Sequence, residues 1–486
     1  MRRIATVLAA AGAVIVMAVP AQAAPLPTAR FVFADFGADQ SWDVAKHPRV
    51  LADITGDGRA DVVGFGDFGT MTAVATGDGG FGARGGVADF GFNQGWRIPI
   101  HERFVTDITG DGKADIVGVG NAGVFTSVSL GDGNFRPATF VLQAFGASTR
   151  PRLNDLIAAD ANNDGRTDLF MFTNGRVDVA LARGDGTFAA PYLATTEFTT
   201  DRFDFNHFKV VNITGDARPE ILSIRFLPGI APLSTSPRVD GTYPLSRVST
   251  NNGVNTSPFV IFDVADVTGD GRGDAVMPGQ DTTTFVGTAR GDGTFNTFTV
   301  AVNDFGYNNG AGYGTGTVPS ASRADITADQ RADLVGFNTF GVVSAVSLGN
   351  GTFAQSRHVV ADFGFNRGWR TDRHPRLLAD ITGDGRADVV GFGNAGIYTA
   401  VSNGDGTFSG GPTITTVPDL TGDSKDEARS ALQSAGLVLG TVTNDVDENC
   451  NNIDKVNGQN PGAGTQLLTG STVNVTIGVL PPHPCP

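Results

Sequence analysis

The sequence has few cysteines, few tryptophans and few basic side chains, and after its first residues it has no long apolar run. Two cysteines occur in 486 residues, so at most one disulfide can form and a disulfide framework is excluded. The formal net charge is −15, which repels phosphate backbones and anionic lipid surfaces. We therefore expect no nucleic-acid partner. Beyond the N-terminal segment no stretch is long and apolar enough to span a bilayer.

The N-terminal segment has the three parts of a secretory signal peptide. Two arginines precede an apolar run, Ile4–Val19, and residues 21–23 read Ala-Gln-Ala, a small-residue cleavage site. We assign residues 1–23 to the signal peptide and expect a secreted, extracellular protein. In that compartment a disulfide between Cys450 and Cys485 is expected, and two free thiols are the alternative.

Seven copies of one acidic loop divide most of the chain. The loop Asp53-Ile-Thr-Gly-Asp-Gly-Arg-Ala-Asp61 recurs at a spacing of roughly 54 residues. The copies begin at Asp53, Asp107, Asp160, Asn212, Asp266, Asp325 and Asp380. Each loop lies between two short apolar strands, and two further strands follow, separated by a turn of the type Gly-Asp-Gly-x-Phe. Four short antiparallel strands per unit are typical of one blade of a β-propeller.

The two ends of the repeat array complement each other. The last copy lacks a fourth strand, whereas the chain begins with an orphan fourth strand, Arg30–Gly37, that matches Val87–Gly91 and Val359–Gly364. Pairing of the orphan strand beside Ile397–Ser402 would close a ring and remove exposed strand edges. The sequence therefore predicts a mainly β fold, a seven-bladed β-propeller over residues 30–408 closed by the N-terminal strand. A linear solenoid is the alternative.

These motifs resemble the FG-GAP, or VCBS, repeats of integrin-type propellers. The resemblance rests on the Asp-x-Thr-Gly-Asp-Gly-x-x-Asp loop and on the Gly-Phe-Gly that follows it. The longer pattern of Gly95-Trp96-Arg97, then His101-x-Arg103, then Asn-Ala-Gly is similar to fungal lectins of the Psathyrella velutina type. This resemblance implies a seven-bladed propeller that binds N-acetylglucosamine-containing glycans in pockets between its blades.

The acidic loops offer side-chain oxygens at positions 1, 3, 5 and 9 and a backbone carbonyl at position 7, and hard cations such as calcium need six to eight oxygens. We predict structural calcium in some loops. The alternative is a hydrogen-bonded turn in which the aspartates accept backbone N–H groups. The third copy has the best ligand set, Asp160, Asn162, Asp164, Asp168 and the carbonyl of Arg166.

Four further copies have threonine at position 3, a weaker and neutral ligand. Their predicted ligands are Asp53, Thr55, Asp57, Asp61, Asp107, Thr109, Asp111, Asp115, Asp266, Thr268, Asp270, Asp274, Asp380, Thr382, Asp384 and Asp388. Two copies are damaged. Asn212–Glu220 lacks the first carboxylate and the glycine at position 6, and Asp325–Asp333 has Gln330 in place of that glycine. We expect no calcium in the damaged copies.

Some connections from a fourth strand to the next first strand carry the pattern Trp-x4-His-x-Arg. It occurs three times and uses all three tryptophans. A tryptophan face can stack on a sugar while histidine, arginine and asparagine supply directional hydrogen bonds. The predicted sugar-binding residues are Trp42, His47, Arg49, Trp96, His101, Arg103, Asn121, Trp369, His374, Arg376 and Asn394. The alternative is that tryptophan packs between blades while histidine and arginine cap strand ends.

A separate module follows the repeats. A linker, residues 409–416, precedes residues 417–480, and residues 481–486 form a tail. A helix is expected over Ser424–Ala435. The strands expected after it are Leu437–Thr443 and Ser471–Val479. The motifs Val-Pro-Asp-Leu, Ala-Gly-Leu and Gln-x-Pro-x-x-Gly resemble a PASTA domain, which implies association with bacterial peptidoglycan. A spacer role is the alternative.

Together these features predict a secreted bacterial carbohydrate-binding protein, lectin-like in its propeller, with glycans and peptidoglycan as its partners. A protein-binding adhesion propeller of the integrin type is one alternative, although the sequence shows little of the broad aromatic or charged face that it would need. A polysaccharide-active enzyme is another. No nucleophile–base pair, paired glutamates or zinc motif stands apart from the repeats, so we expect no catalytic residues.

Overall fold

The computed structural model describes most of the chain after the predicted signal peptide. The described residues are 26–98, 100–149, 156–173, 176–196, 208–227, 229–235, 241–243, 246–248, 263–279, 281–306, 322–410, 414–435, 437–468 and 471–483. The predicted signal peptide, residues 1–23, and Cys485 lie outside these ranges. Within them the protein is mainly β, with a single α-helix.

Seven small antiparallel sheets follow one another along the described chain, one for each acidic loop. Sheet 1 contains Arg49–Ala52, Asp61–Phe65, Thr70–Ala75 and Phe81–Val87. Sheet 2 contains Arg103–Thr106, Asp115–Val119, Val124–Ser127 and Thr139–Leu142. Sheet 3 contains Leu156–Ala159, Asp168–Thr173, Arg176–Ala180 and Tyr192–Thr195. Sheet 4 contains Phe208–Val211, Glu220–Leu227, Gly229–Thr235 and Ser246–Val248.

The remaining sheets have the same order of strands. Sheet 5 contains Asp263–Ala265, Asp274–Pro278, Thr284–Gly287 and Thr299–Val302. Sheet 6 contains Ser322–Ala324, Asp333–Phe337, Val342–Ala345 and Arg357–Val360. Sheet 7 contains Arg376–Ala379, Asp388–Phe392 and Ile397–Ser402, with a short strand, Phe408–Ser409, on the last of these. Its outer partner is Arg30–Phe33, which pairs antiparallel with Ile397–Ser402 as the sequence predicts.

The predicted fourth strands extend too far. The segment Arg30–Gly37 is a strand only to Phe33, and Val359–Gly364 only to Val360, while most of Val87–Gly91 follows its strand. The reason is a left-handed backbone at one phenylalanine in five repeats, with φ of 60° to 63°, at Phe36, Phe90, Phe145, Phe305 and Phe363. A positive φ is costly for a residue with a side chain and incompatible with strand pairing. The chain therefore turns at this residue toward the next sheet.

The hydrophobic core is divided into clusters that each lie between two consecutive sheets. Val63 and Phe65 of sheet 1 pack with Ile116 of sheet 2 in one cluster. Val62, on the opposite face of sheet 1, packs with Val390 of sheet 7 in another. Because successive residues of a strand point to opposite faces, each sheet is buried on both sides. Sheet 1 therefore packs against sheet 7 in the same way as against sheet 2.

Backbone hydrogen bonds also join successive acidic loops. The N–H at position 8 of one loop donates to the carbonyl at position 1 of the preceding loop, as in Ala114 N to Asp53 O at 2.7 Å. The same bond leads from the first loop to the last, from Ala60 N to Asp380 O at 2.7 Å. The other donors are Thr167, Gly273, Ala332 and Ala387. The fourth loop has Pro219 at this position, and proline has no N–H to donate.

The C-terminal module is a small α+β unit. Its helix, Lys425–Ser434, starts after Ser424, whose backbone N–H donates to Glu427 Oε2 at 2.8 Å while its hydroxyl accepts from Glu427 N at 3.4 Å. This reciprocal pair is a capping box and fixes the start of the helix where the sequence predicts it. Ala428 and Leu432 are buried on one face of the helix and pack in the core of the module. No helix in the described ranges is both long and apolar enough to cross a membrane.

The strands of this module form a three-stranded sheet and a short two-stranded antiparallel sheet. Thr472–Val479 is central, with Val438–Val446 parallel on one side and Val456–Asn460 antiparallel on the other. Ile414–Thr416 pairs with Gln466–Leu468, so the predicted linker, residues 409–416, ends in a strand of this module. Cys450 is disulfide-bonded.

Candidate functional site

The side chain at position 1 of the acidic loops, a carboxylate in all but the fourth, accepts hydrogen bonds from backbone N–H groups. In the first loop Asp53 Oδ1 accepts from Thr55 N at 3.1 Å and Gly56 N at 2.7 Å. Its Oδ2 accepts from Gly58 N at 2.8 Å. Both glycines have φ near +80°, a conformation that glycine adopts without strain. This carboxylate therefore folds the loop around itself.

The carboxylate at position 9 is fully buried and ties the loop to two strands. Asp61 accepts from Ile54 N at 3.1 Å and from Ala75 N, in the third strand, at 2.7 Å. Burial raises the pKa of Asp61 to about 6, against the opposing effect of these two hydrogen bonds. Burial likewise raises the pKa to about 6 at Asp115, Asp274 and Asp333 and to about 7 at Asp168 and Asp388. It also raises the pKa of Glu220, which occupies this position in the fourth loop.

The carboxylate at position 5 is paired with the basic side chain at position 7 of the same loop. Arg59 donates to Asp57, and Lys113 to Asp111. The stem of Lys113 also lies over Gly56 of the preceding loop. The same pairing is made by Arg166 with Asp164, Arg272 with Asp270, Arg331 with Asp329 and Arg386 with Asp384. The position-5 charge is therefore neutralised within the loop.

These arrangements do not present a set of free oxygens to calcium. The position-1 and position-9 carboxylates accept backbone N–H groups, and the position-5 carboxylate faces a cation. The carboxylates of the third loop, predicted to be the best calcium site, are occupied in the same way. In addition, Asn162 Nδ2 donates to Asp164 Oδ2 at 2.9 Å. Among the described residues no group of three or more acidic, histidine or cysteine side chains is placed to hold a metal. The geometry thus fits the hydrogen-bonded turn, and calcium binding stays a prediction.

The two damaged loops keep the loop shape although other residues replace glycine at position 6 in the fourth loop and at positions 4 and 6 in the sixth. Ala217 in the fourth loop has φ of 72°, and Ala328 and Gln330 in the sixth have φ of 61° and 64°. The first, second, fifth and seventh loops have glycine at both positions, and the third has glycine at position 6 and Asn163, with φ of 58°, at position 4. In the sixth loop Asp325 still accepts from Ala328 N and Gln330 N, at 2.7 Å each. The carboxylate therefore imposes the turn even on residues that resist it.

At the other end of the sheets, the connection between consecutive sheets is built around the left-handed phenylalanine. Between sheets 7 and 1, Asp35 Oδ1 accepts from Phe36 N at 2.7 Å and from Trp42 Nε1 at 3.1 Å. The carbonyl of Phe36 accepts from Arg49 Nη1 at 2.8 Å. We call this arrangement of aspartate, phenylalanine, tryptophan, histidine and arginine a joint. It holds a strained residue by both of its backbone polar groups.

The three tryptophans are wedged into the joints. Trp42, Trp96 and Trp369 are only 6% or 7% exposed, and their rings lie 4.8 to 5.0 Å from the joint phenylalanines. The edge of each tryptophan ring meets a strand glycine, and a methyl group on that glycine would lie 2.5 to 2.6 Å from Cη2 of the ring. These glycines are Gly64, Gly118 and Gly391. The geometry matches the packing alternative, and stacking of a sugar on these rings stays a prediction.

The three histidines are buried and use both ring nitrogens. His101 Nδ1 accepts from Arg97 N at 3.1 Å, and its Nε2 lies 3.1 Å from Asn121 Oδ1. An acceptor Nδ1 places the proton on Nε2, which donates to the asparagine. His374 repeats this arrangement with Asn394 at 2.9 Å, and burial lowers the pKa of His374. The asparagines themselves are exposed, so their amide N–H groups face solvent.

The joint arginines are buried or half-buried, and two of them leave part of their donor capacity unused. Arg49 and Arg103 each donate through Nη1 to a joint phenylalanine, and their Nε and Nη2 atoms are buried without a partner among the described residues. Burial lowers the pKa of Arg49, Arg103 and Arg376 to about 10. Each guanidinium lies 5.0 to 5.4 Å from the ring of a phenylalanine on the preceding sheet. A guanidinium over an aromatic ring makes a cation–π interaction, which is stronger away from water and so stabilises the packing of the two sheets.

The structure therefore brings together most of the predicted sugar-site residues, but as support. One joint joins Trp42, His47 and Arg49, the next Trp96, His101, Arg103 and Asn121, and the last Trp369, His374, Arg376 and Asn394. The sequence reasoning missed Asp35 and Asp362, which accept from the tryptophans, and Asp67, which replaces asparagine beside His47 at 3.1 Å. The Asp-Phe-Gly that begins four of these connections was the available signal.

A cavity of about 550 Å³ opens at the loop end, between sheets 6 and 7. Its wall mixes charges and hydroxyls with apolar groups, and includes Asp329, Arg357, Asp405, Ser344 and Val346. Arg357 donates to the backbone carbonyl of Asp405 and so bridges the two sheets. The volume lies within the range of small-molecule sites. This cavity is a second place, opposite the joints, where a ligand has room.

Two parts of the chain match known families. The PASTA domain matches residues 415–479, and the FG-GAP-like repeat matches residues 107–171 and 160–223. A comparison with curated proteins gave no match.

Solved structures give three informative likenesses. A lectin from Agrocybe aegerita, described in terms of its specific recognition of non-reducing terminal N-acetylglucosamine, is 30% identical over 77% of this chain and 82% of that chain, with a TM-score of 0.45. The BP39L lectin from Burkholderia pseudomallei is 13% identical over 75% and 98%, with a TM-score of 0.48. The Photorhabdus luminescens Tc holotoxin pore is 13% identical over 73% and 15%, with a TM-score of 0.44. The last two carry no argument about function.

Proposed function

We propose that this chain, which contains FG-GAP-like repeats and belongs to the same family as the Agrocybe aegerita lectin, is a secreted carbohydrate-binding protein for N-acetylglucosamine-type glycans. The observation that carries the proposal is the 30% identity to that lectin over 82% of its length. The protein acts by binding, and no catalytic role is assigned to any residue. Its extracellular location rests on the signal-peptide pattern of residues 1–23.

The proposed architecture is a closed seven-bladed propeller, with each sheet as one blade. Two contacts between the ends of the array support this architecture. Arg30–Phe33 pairs with sheet 7, and the backbone N–H of Ala60 donates a hydrogen bond to the carbonyl of Asp380. A third contact is Thr399 Oγ1 to Gly79 O at 2.8 Å, which has the same form as Thr72 Oγ1 to Gly133 O between sheets 1 and 2. Closure of the ring gives the last blade its fourth strand and covers both faces of every blade.

The proposed glycan sites lie between blades at the outer surface of the joints. There Asn121 and Asn394 are exposed, and each is fixed by a buried histidine. Because the asparagine oxygen is occupied by the histidine, the amide N–H groups remain as placed donors for a sugar hydroxyl or acetamido carbonyl. The tryptophan and arginine beneath hold the histidine in place. Several such weak sites on one face would raise the avidity for a branched or polymeric glycan.

The C-terminal PASTA domain adds a proposed contact with peptidoglycan, which contains N-acetylglucosamine. Full-length protein should therefore sediment with insoluble peptidoglycan. Calcium in the acidic loops is a separate proposal, because a ligand that binds only the folded state raises its melting temperature. A rise on adding calcium would support the proposal, and an unchanged melting temperature would support the hydrogen-bonded turn.

The direct test is a calorimetric titration of the full mature chain with N-acetylglucosamine. We expect saturable binding that is weakened by the double variant Asn121→Asp, Asn394→Asp. Aspartate keeps the oxygen that the histidine needs, as Asp67 already does beside His47, but it removes the amide donor. The matched reciprocal variant, Asp67→Asn, should add a binding site.

Two results would contradict the proposal. If the native protein binds neither the monosaccharide nor any structure on a glycan array, the carbohydrate function is wrong. If the native protein binds but the double variant Asn121→Asp, Asn394→Asp binds equally well, the function stands and the proposed position of the sites is wrong.

A further inference from the structure

At the joint end of sheets 1 and 6, three phenylalanines are exposed in spite of their size and a fourth is half-buried. Phe68 is 81% exposed, Phe340 60% and Phe365 55%, and Phe92 is half-buried. Phe68 and Phe340 occupy the turn between the second and third strands of their sheets. Phe92 and Phe365 begin the short 3-10 helix that follows the fourth strand. Phe92 also meets the joint histidine His47 edge to face, with ring centroids 6.3 Å apart.

The two positions are neighbours within one sheet. In sheet 1 the 3-10 helix binds the turn through Phe92 N to Gly66 O at 2.9 Å and Asn93 N to Asp67 O at 2.8 Å. Gln94 Nε2 donates to Phe68 O at 3.1 Å. In sheet 6 the corresponding bonds are Phe365 N to Asn338 O at 3.3 Å and Asn366 N to Thr339 O at 2.9 Å. Each sheet therefore presents its two phenylalanines on a rigid, hydrogen-bonded base.

The same base carries alanine in the other well-described sheets. Sheet 2 has Ala122 and Ala147, whose N–H donates to Gly120 O at 2.9 Å. Sheet 7 has Ala395 and Ala38, whose N–H donates to Gly393 O at 3.0 Å. Phenylalanine thus occurs at both positions or at neither. Because alanine supports the same hydrogen bonds, the fold does not require the exposed rings.

An arginine accompanies each of the two helix phenylalanines, Phe92 and Phe365. The guanidinium of Arg97 lies 3.7 Å from the centre of the Phe92 ring, and Arg370 lies 3.7 Å from that of Phe365. Arg370 Nη1 donates to the carbonyls of Phe365 at 2.8 Å and Trp369 at 2.9 Å. In the joint that begins with Ala38, Asp43 stands in the arginine position. The arginine fixes the ring and leaves further N–H donors beside it.

We propose that Phe68 with Phe92 and Phe340 with Phe365 form two sugar-stacking platforms, one on sheet 1 and one on sheet 6. The inference rests on the carbohydrate-binding function proposed above and assigns it sites on two sheets. A pyranose ring has an apolar face and a polar rim, and each platform offers one well-exposed ring, Phe68 or Phe340, beside a second ring that carries an arginine on one face. A stable protein interface needs a contiguous buried patch of about 1,000 Å² or more, whereas single rings among polar groups suit a sugar.

The test compares chitotetraose and N-acetylglucosamine as probes in calorimetric titrations of the full mature chain. The quadruple variant Phe68→Ala, Phe92→Ala, Phe340→Ala, Phe365→Ala reproduces the surface of sheets 2 and 7, so its melting temperature should be unchanged. We expect the Kd for chitotetraose to rise about fivefold or more, the range of a lost aromatic contact, with a smaller change for the monosaccharide. The control is Phe140→Ala, which removes an exposed phenylalanine from an outer strand.

The possible failures are distinguishable. If the native protein binds neither probe, the proposed function fails and this inference with it. If the native protein binds chitotetraose and the quadruple variant, still folded, binds it equally well, only the platforms are wrong. A loss of the same size in Phe140→Ala would also overturn the assignment, because the effect would not depend on the platforms.

Discussion

The two ends of each sheet use side chains that look functional in different ways. At the loop end, the carboxylates that suggest a metal site accept backbone N–H groups or pair with a basic neighbour. At the joint end, the tryptophan, histidine and arginine that suggest a sugar site are buried around a strained phenylalanine. In both places the residues that recur from repeat to repeat hold the fold. The exposed residues that differ between repeats, such as Asp67 against Asn121 and Phe68 against Ala122, are the ones free to select a ligand.

The largest expected effect separates the buried and exposed aromatics of the joint end. Trp96→Ala should lower the free energy of unfolding by about 3–5 kcal/mol, because it removes a buried ring and leaves a cavity beside Gly118. Phe68→Ala should leave stability nearly unchanged, since Ala122 occupies the same place in sheet 2. Denaturant unfolding of both variants measures this difference. Equal stabilities would mean that Trp96 is not the wedge described here.

The loop end has a comparable contrast between two aspartates of one loop. Asp115→Ala should cost about 2–4 kcal/mol, because the N–H groups of Ile108 and Ser129 lose a buried acceptor. Asp111→Ala should have little effect, since that carboxylate is half-exposed and only pairs with Lys113. Thermal unfolding with and without calcium measures both. If Asp111→Ala were the more damaging variant, and only with calcium present, the metal-site interpretation would replace this one.

The loop end should also make stability depend on pH. The six position-9 aspartates have pKa values of about 6 to 7 in the folded chain, as at Asp115 and Asp388, against 3.8 for the unfolded side chain. The folded state therefore binds more protons between these values, and the free energy of unfolding falls as pH rises through them. The melting temperature should be higher at about pH 5.5 than at about pH 7.5. A rise with pH over this interval would contradict the assignment.

The smallest expected effect concerns the damaged sixth loop. Gln330→Gly should stabilise the protein by about 1 kcal/mol, because it relieves a left-handed backbone at a residue with a side chain. Gly58→Gln, at the same position of the intact first loop, is the matched control and should destabilise it. Chemical denaturation of both variants would measure the pair. No gain from glycine at residue 330 would mean that the left-handed conformation there carries no strain.

Much of the fold could be predicted from the sequence, and the fine structure of the joints could not. The period of the acidic loop fixed the number of sheets, and the orphan strand beginning at Arg30 correctly indicated its pairing with sheet 7. The strand boundaries failed at Phe36 and its counterparts, because alternation of apolar residues does not reveal a positive φ. The burial of Trp42 was equally hidden, since it depends on the missing side chain of Gly64, which a sequence pattern records only as one more glycine.

The most direct test of the account is to locate glycan binding at one end of the sheets. Chitotetraose is titrated into the full mature chain, into the joint-end variant Asn121→Asp, Asn394→Asp, and into a loop-end variant, Arg357→Ala, that opens the cavity between sheets 6 and 7. We predict weakened binding in the joint-end variant and native binding in the loop-end variant. Native binding in the joint-end variant together with a loss in the loop-end variant would contradict the account and place the ligand in the cavity.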